Sequence, residues 1–226
     1  MTILTREQVL QIVESARVKG EVPKLFGADI TETELRQAQL GGANLSGAEL
    51  HRAKLSGAEL VRVDLSGVDF CGADLVGADL SLADLSQANL CQANLFMANL
   101  SETNLSGANF NEAKLFKANL ARTNLFKANL SQANFSLANF SSANMGQVNL
   151  TQANLKGANF NQTDLRGANL NGADLSNADL SGADLGQANL KQTNLSGVIL
   201  SEAKCNQATS WPVNFDPVSM GAICED

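Results

Sequence analysis

Tyrosine is absent from this chain of 226 residues, which holds one tryptophan, one histidine and three prolines. With aromatics at 5%, the ordinary core of interlocking rings is excluded. A single histidine excludes any site that needs two imidazoles. Basic residues are also scarce, 16 against 23 acidic ones for a net charge of -7. That excludes a nucleic-acid binder, whose affinity rests on clustered cations. No stretch reaches the roughly 18 consecutive apolar residues of a membrane span, and Met1–Arg6 lacks the charged-then-apolar succession of a secretion signal. Four cysteines, Cys71, Cys91, Cys205 and Cys224, are too few for a disulfide scaffold of this length. A soluble cytoplasmic protein is expected, and 44% hydrophobic residues are too many for a disordered one.

What is abundant is a period. From residue 26 to 205 every position divisible by five is apolar, giving 36 uninterrupted pentapeptides. Of these central positions 28 are Leu; Ile30, Phe70, Phe110, Phe135, Phe140, Met145, Phe160 and Cys205 fill the rest. Two residues earlier stands Ala in 27 repeats, otherwise Thr or Val, and Asn or Asp usually separates the two. Steps of five scatter leucines around an α-helix and send them to alternate faces of a straight strand. Ala and Leu share one face only if the chain turns once per pentapeptide. Thirteen of 18 glycines fall two residues after a central position, where such a corner lies. The pattern predicts a β-solenoid. Pairs 20 apart (Cys71 and Cys91, Phe96 and Phe116, Thr103 and Thr123, Phe140 and Phe160) point to four sides and about nine coils, or roughly 43 Å of stack at 4.8 Å per coil.

The tandem Ala-(Asp/Asn)-Leu-x-x motif, as in Gly72-Ala73-Asp74-Leu75-Val76-Gly77-Ala78-Asp79-Leu80, resembles the pentapeptide repeat family. The resemblance implies a right-handed quadrilateral β-helix from a family most of whose members have no assigned activity. With no nucleophile–base arrangement and a filled core that leaves no pocket, neither an enzyme nor a cofactor is expected. Three parts follow: a helical cap over 1–25, the β-helix over 26–205 and a closing tail over 206–226. Thr5 with Gln8 reads as a capping box, Leu4 with Val9 as a hydrophobic staple, and Val9, Ile12, Val13 and Ala16 as the buried face of a helix ending near Gly20. Trp211 and Phe215 are expected to plug the last coil.

Chemistry-bearing residues are few. Cys71 and Cys91 should stand one above the other, in reach of a disulfide, with His51 one coil earlier. The column His51–Cys71–Cys91 is linear and offers zinc no fourth ligand. Cys205 and Cys224 form a second candidate pair, and a reducing cytosol favours free thiols throughout. Asp69, Asp74, Asp79 and Asp84 place a carboxylate on each side of one coil. Acids on adjacent coils, Asp64 with Asp84 and Glu59 with Asp79, would hold Ca²⁺ or Mg²⁺ only weakly. From Asn89 to Asn159 the same position is Asn except for Lys114, a pattern suited to amide ladders.

Two functional classes remain. Val76, Phe96 and Phe116, with Met97 beside them and Lys114 and Lys117 flanking, form an outward apolar ladder on one face. That suits a scaffold that binds an unidentified protein partner. Resemblance to the quinolone-resistance members implies the alternative, an acidic DNA mimic that inhibits an enzyme such as gyrase. A duplex of that height carries roughly 25 phosphate charges, against a net -7 here with a basic middle. The scaffold is the favoured reading, with its oligomeric state open.

Overall fold

The computed structural model describes residues 3–225; Met1 and Thr2, part of the stretch read for a secretion signal, lie outside it. The backbone closes one turn of a square every 20 residues. Parallel bridges run without interruption from Lys24↔Asn44 to Asp184↔Lys204, always at a register of 20. Each side is shorter than the expected strand, because only the residue just before each central one, most often Asp or Asn, is bridged to its neighbours above and below. With parallel rungs and right-handed crossovers, the stack is a right-handed quadrilateral β-helix.

The repeat sequence follows from hydrogen-bond accounting. In Asp69-Phe70-Cys71-Gly72-Ala73, Phe70 and Gly72 donate their N–H groups to the next coil, at Asn89 O (2.7 Å) and Cys91 O (2.9 Å). Asp69 donates to the previous coil at Ala48 O (3.1 Å), and Ala73 closes the corner on Phe70 O (2.9 Å). The fifth donor, the N–H of Cys71, has no backbone acceptor. Asp69 Oδ1 accepts it at 2.9 Å. The acidic or amide residue is therefore part of the corner. Its side chain does a second job where it is Asn. Asn89 Nδ2 donates to Asp69 Oδ1, and Asn109, Asn129 and Asn149 each donate to the Asn one coil before, at 2.9–3.1 Å. The ladders on two other sides likewise start from Asp79 and Asp84, which only accept.

At the corners every residue two after a central position, from Gly27 to Glu202, has positive φ. That is the requirement of a type II turn at its third residue. Glycine fills 13 of these positions and other residues fill 23, none of them β-branched, the class that tolerates this region least. Inside, the central Leu and Phe side chains and the Ala columns are buried as one continuous core. Within it Phe140 and Phe160 stack with ring centroids 4.9 Å apart, and Phe135 tilts against Phe140 at 5.1 Å. Inward threonines are satisfied by main-chain carbonyls, as Thr103 is by Leu80 O at 3.0 Å.

Both ends are covered. Helix α1 (Arg6–Val18) begins with the Thr5–Gln8 capping box and buries Val9, Val13 and Ala16 against the first coil. At the other end Trp211 and Phe215 stack at 5.3 Å and pack on the core. Strand β1 (Lys204–Asn206) then pairs in parallel with β2 (Ile223–Glu225), the last described segment.

Candidate interaction edge and the cysteine pairs

Val76, Phe96 and Phe116 follow a central leucine directly, and this position is the start of a corner. They lie along one edge of the prism, which corrects the expectation of a flat face: the sides are occupied by the bridged Asp and Asn residues. Phe96 and Phe116 stack at 5.6 Å with their planes 13° apart. Phe96 is 40% exposed and Met97, the next corner residue, 56%, while Val76 and Phe116 are half-buried. Lys117 Nζ sits 5.5 Å from the Phe116 centroid, a cation–π contact.

The structure adds Leu137, which the 20-residue comparison of Val76 with the phenylalanines passes over. It belongs to the second corner column, Met97–Lys117–Leu137, and is 49% exposed. Its side chain leans on Gly157 one coil below, coming within 2.8 Å of where a Cβ would sit there. An apolar residue at an otherwise polar or glycine corner was the available signal. Met97 and Leu137 also hold left-handed backbone, φ 55° and 58°, so the edge carries both exposure and strain. Asp74 and Asp79 flank its Val76 end; Lys114 and Lys117 flank the Phe116 end.

All four cysteines are paired. Cys71 bonds Cys91 across adjacent coils with Cα atoms 4.7 Å apart, and Cys205 bonds Cys224 with Cα atoms 4.3 Å apart. The expectation of free thiols is thereby corrected. It rested on compartment, whereas the 20-residue register holds Cys71 over Cys91 regardless. Both sulfurs of the His51–Cys71–Cys91 column are engaged in that bond. In the acidic pairs each aspartate has one carboxylate oxygen engaged. Asp64 Oδ1 accepts from the Ser66 N–H and hydroxyl, Asp84 Oδ1 from the Ser86 N–H and Asn104, and Asp79 Oδ1 from the Ser81 N–H and Asn99. Among the described residues no group of three His, Cys, Asp or Glu side chains is arranged to hold a metal ion.

Lower in the stack, Arg166 chelates Asp164 (2.9 and 2.6 Å) and lies 3.7 Å from Asp184. Its guanidinium holds the Asp164 carboxyl below the usual carboxylate range. Burial pushes Asp174 and Asp179 up, but donors on Ser176 and Asn194 and on Ser181 and Asn161 outweigh it and lower both.

Comparison with known proteins agrees with this geometry. Solved structures include HetL, a pentapeptide repeat protein involved in heterocyst differentiation regulation from the cyanobacterium Nostoc sp. strain PCC 7120. It is 32% identical over 88% of this chain and 94% of its own, with a TM-score of 0.52. QnrB1, a plasmid-mediated fluoroquinolone resistance protein, shares the fold at 20% identity, 90% and 89% coverage and a TM-score of 0.55. Among curated protein sequences nothing matches. The profile "Pentapeptide repeats" matches in overlapping stretches that together run from residue 24 to 209, and the chain belongs to the pentapeptide repeat family.

Proposed function

We propose that the protein is a non-enzymatic interaction scaffold, and that the corner edge of Val76, Phe96, Met97 and Phe116, extended by Leu137, is where a protein partner docks. The observation that carries this is the edge itself. In a wall whose outward positions are mostly polar or glycine, it keeps large apolar side chains in water at two left-handed corners. The filled interior supports the same reading, because Ala, Leu and Phe occupy the space in which an enzyme would hold substrate. A cytoplasmic setting belongs to this reading as an expectation. The acidic-mimic alternative is less well supported, since Lys114 and Lys117 flank the edge and amides replace carboxylates from Asn89 to Asn159.

Capture from the source lysate with wild type, Phe96→Ser/Phe116→Ser and Phe126→Ser tests the proposal, all three being first shown to fold. Phe126 is an exposed corner phenylalanine outside this edge. A partner held by wild type and Phe126→Ser but lost by the double variant supports it. A partner held equally by all three overturns the edge as the contact. Inhibition of gyrase supercoiling by wild type would favour the mimic instead.

A further inference from the structure

The two disulfides close very different pieces of structure. Cys71 and Cys91 lie between coils already tied on both sides, by the Phe70 N–H to Asn89 O bond (2.7 Å) and the Gly72 N–H to Cys91 O bond (2.9 Å). Both residues are half-buried. Opening that bond would free no chain, and the two thiols would stay facing each other. Cys205 occupies a central, inward position and is 4% exposed. Its partner Cys224 is the middle residue of β2, all three residues of which are exposed. The closing segment is held to the stack by the three-residue β1–β2 pairing, together with Ile223 N–H to Ala203 O (2.7 Å) and Glu202 N–H to Gly221 O (2.9 Å).

A groove of about 630 Å³ reaches Cys205, lined by Phe126, Arg166 and Asp184 and ending on Lys204–Asn206 and Glu225, the neighbour of Cys224. Two glycines keep it open. Gly146 and Gly186 start corners, where φ is not left-handed, so the backbone does not require glycine there. A Cβ would crowd the Phe126 ring at 3.3 Å in one case and Asp184 Oδ1 at 3.2 Å in the other.

We propose that Cys205–Cys224 is a thiol–disulfide exchange site that takes a dithiol reductant and acts as a latch on the C-terminal cap, whereas Cys71–Cys91 is a passive staple. The reductant's thiolate attacks Sγ of Cys224, the exposed residue of the pair. The S–S bond breaks, and its electron pair leaves on Cys205 Sγ, which takes up a proton. The reductant's second thiol then attacks its own sulfur in the mixed disulfide and releases Cys224 as a thiol. The protein disulfide is reduced and the dithiol becomes a disulfide. Freeing β2 returns conformational entropy to the tail, which draws the reaction forward. At Cys71 and Cys91 no such gain exists, and the facing thiols re-close at high effective concentration. Release of β2 leaves the lower edge of β1 unpaired, a surface on which another strand can add.

Titration of the oxidised full-length protein with dithiothreitol, followed by alkylation and peptide mass spectrometry, tests the order of opening. Cys205 and Cys224 should become alkylated at a dithiol concentration on the order of tenfold lower than Cys71 and Cys91 need. Amide hydrogen exchange over residues 202–206 should rise in step with that alkylation. The Cys71→Ser/Cys91→Ser variant should show the same release at the same dithiol concentration. Cys205→Ser/Cys224→Ser should exchange fast at 202–206 without reductant; if it does not fold, the wild-type titration alone decides. Opening of both pairs together, the reverse order, or unchanged exchange at 202–206 after reduction would each overturn the latch.

Discussion

At the first coil the stack leaves carbonyl oxygens facing outward, while at the last coil it leaves mainly N–H groups. Each repeat donates two N–H groups toward the following coil and one toward the preceding one, so the β-helix has an acceptor end and a donor end. The caps match this polarity. Over the first coil the Leu4 N–H reaches Asp29 O (2.8 Å), Arg6 Nη1 reaches Glu34 O (2.9 Å) and Arg36 O (3.3 Å), and Arg17 Nη2 reaches Gln39 O (3.0 Å). Under the last coil the acceptors are Gly221 O for Glu202 N–H (2.9 Å), Ser210 O for Leu190 N–H (2.7 Å) and Asn206 Oδ1 for Gln187 N–H (3.1 Å). The caps are therefore not interchangeable, much as the two ends of an α-helix require opposite partners.

The largest effect should come from neither end. Phe140→Ala removes a fully buried ring stacked on Phe160 at 4.9 Å, at a cost of about 3–5 kcal/mol. In a linear stack that loss falls on the whole cooperative unit. Leu195→Ala, near the C-terminal end and 7% exposed, should cost less, about 2 kcal/mol. Urea denaturation measures both, and equal losses would mean that the end is as tightly coupled as the middle.

Polarity itself is tested by exchanging donors and acceptors. Arg6→Met or Arg17→Met should cost about 1 kcal/mol each, a typical net hydrogen-bond contribution, because both side chains are exposed. Asn206→Ala should cost a similar amount, about 1 kcal/mol, whereas Asn206→Asp keeps the acceptor and should be nearly neutral. If Asn206→Asp were as harmful as Asn206→Ala, the donor-end argument would fail.

Acid should act on both ends, at Glu34, whose carboxyl pKa the Lys54 hydrogen bond lowers, and at three aspartates of the lower coils. Asp164, Asp174 and Asp179 have folded-state values below the ordinary 3.8. A depressed carboxyl stabilises the fold above its unfolded value, and that contribution is lost as pH falls through the folded value. Amide exchange in the lower coils should therefore accelerate as pH drops below about 4, after correction for the intrinsic exchange rate. Asp164→Asn should flatten the response near Arg166.

Much of this was legible in the sequence, because a five-residue register with no insertion leaves each side chain one address. The 20-residue pairs gave the number of sides, and Thr5–Gln8 gave the start of α1. The arginine caps were not legible, since Arg6 and Arg17 read as the solvated face of a helix until the carbonyls beneath them are located. Phe96 and Phe116 were found but assigned to a side, because periodicity fixes which residues stack and leaves open whether they stand on a wall or a corner. Leu137 was missed for a related reason: it continues the edge only once two adjacent corner columns are seen to share it.

The smallest predicted effect concerns those corners. Leu82 holds φ at 61° with its side chain exposed, and Glu202 holds 58° at the last repeat corner. Glycine removes the left-handed penalty of about 1–2 kcal/mol and returns part of it as unfolded-chain entropy. Leu82→Gly should therefore raise global stability by about 0.5–1 kcal/mol. Glu202→Gly relieves the same strain beside the exposed strand β2, where opening need not involve the rest of the stack. It should slow hydrogen exchange at 202–206 while leaving the urea midpoint nearly unmoved. If both substitutions shifted the midpoint equally, the C-terminal end would unfold together with the middle rather than ahead of it.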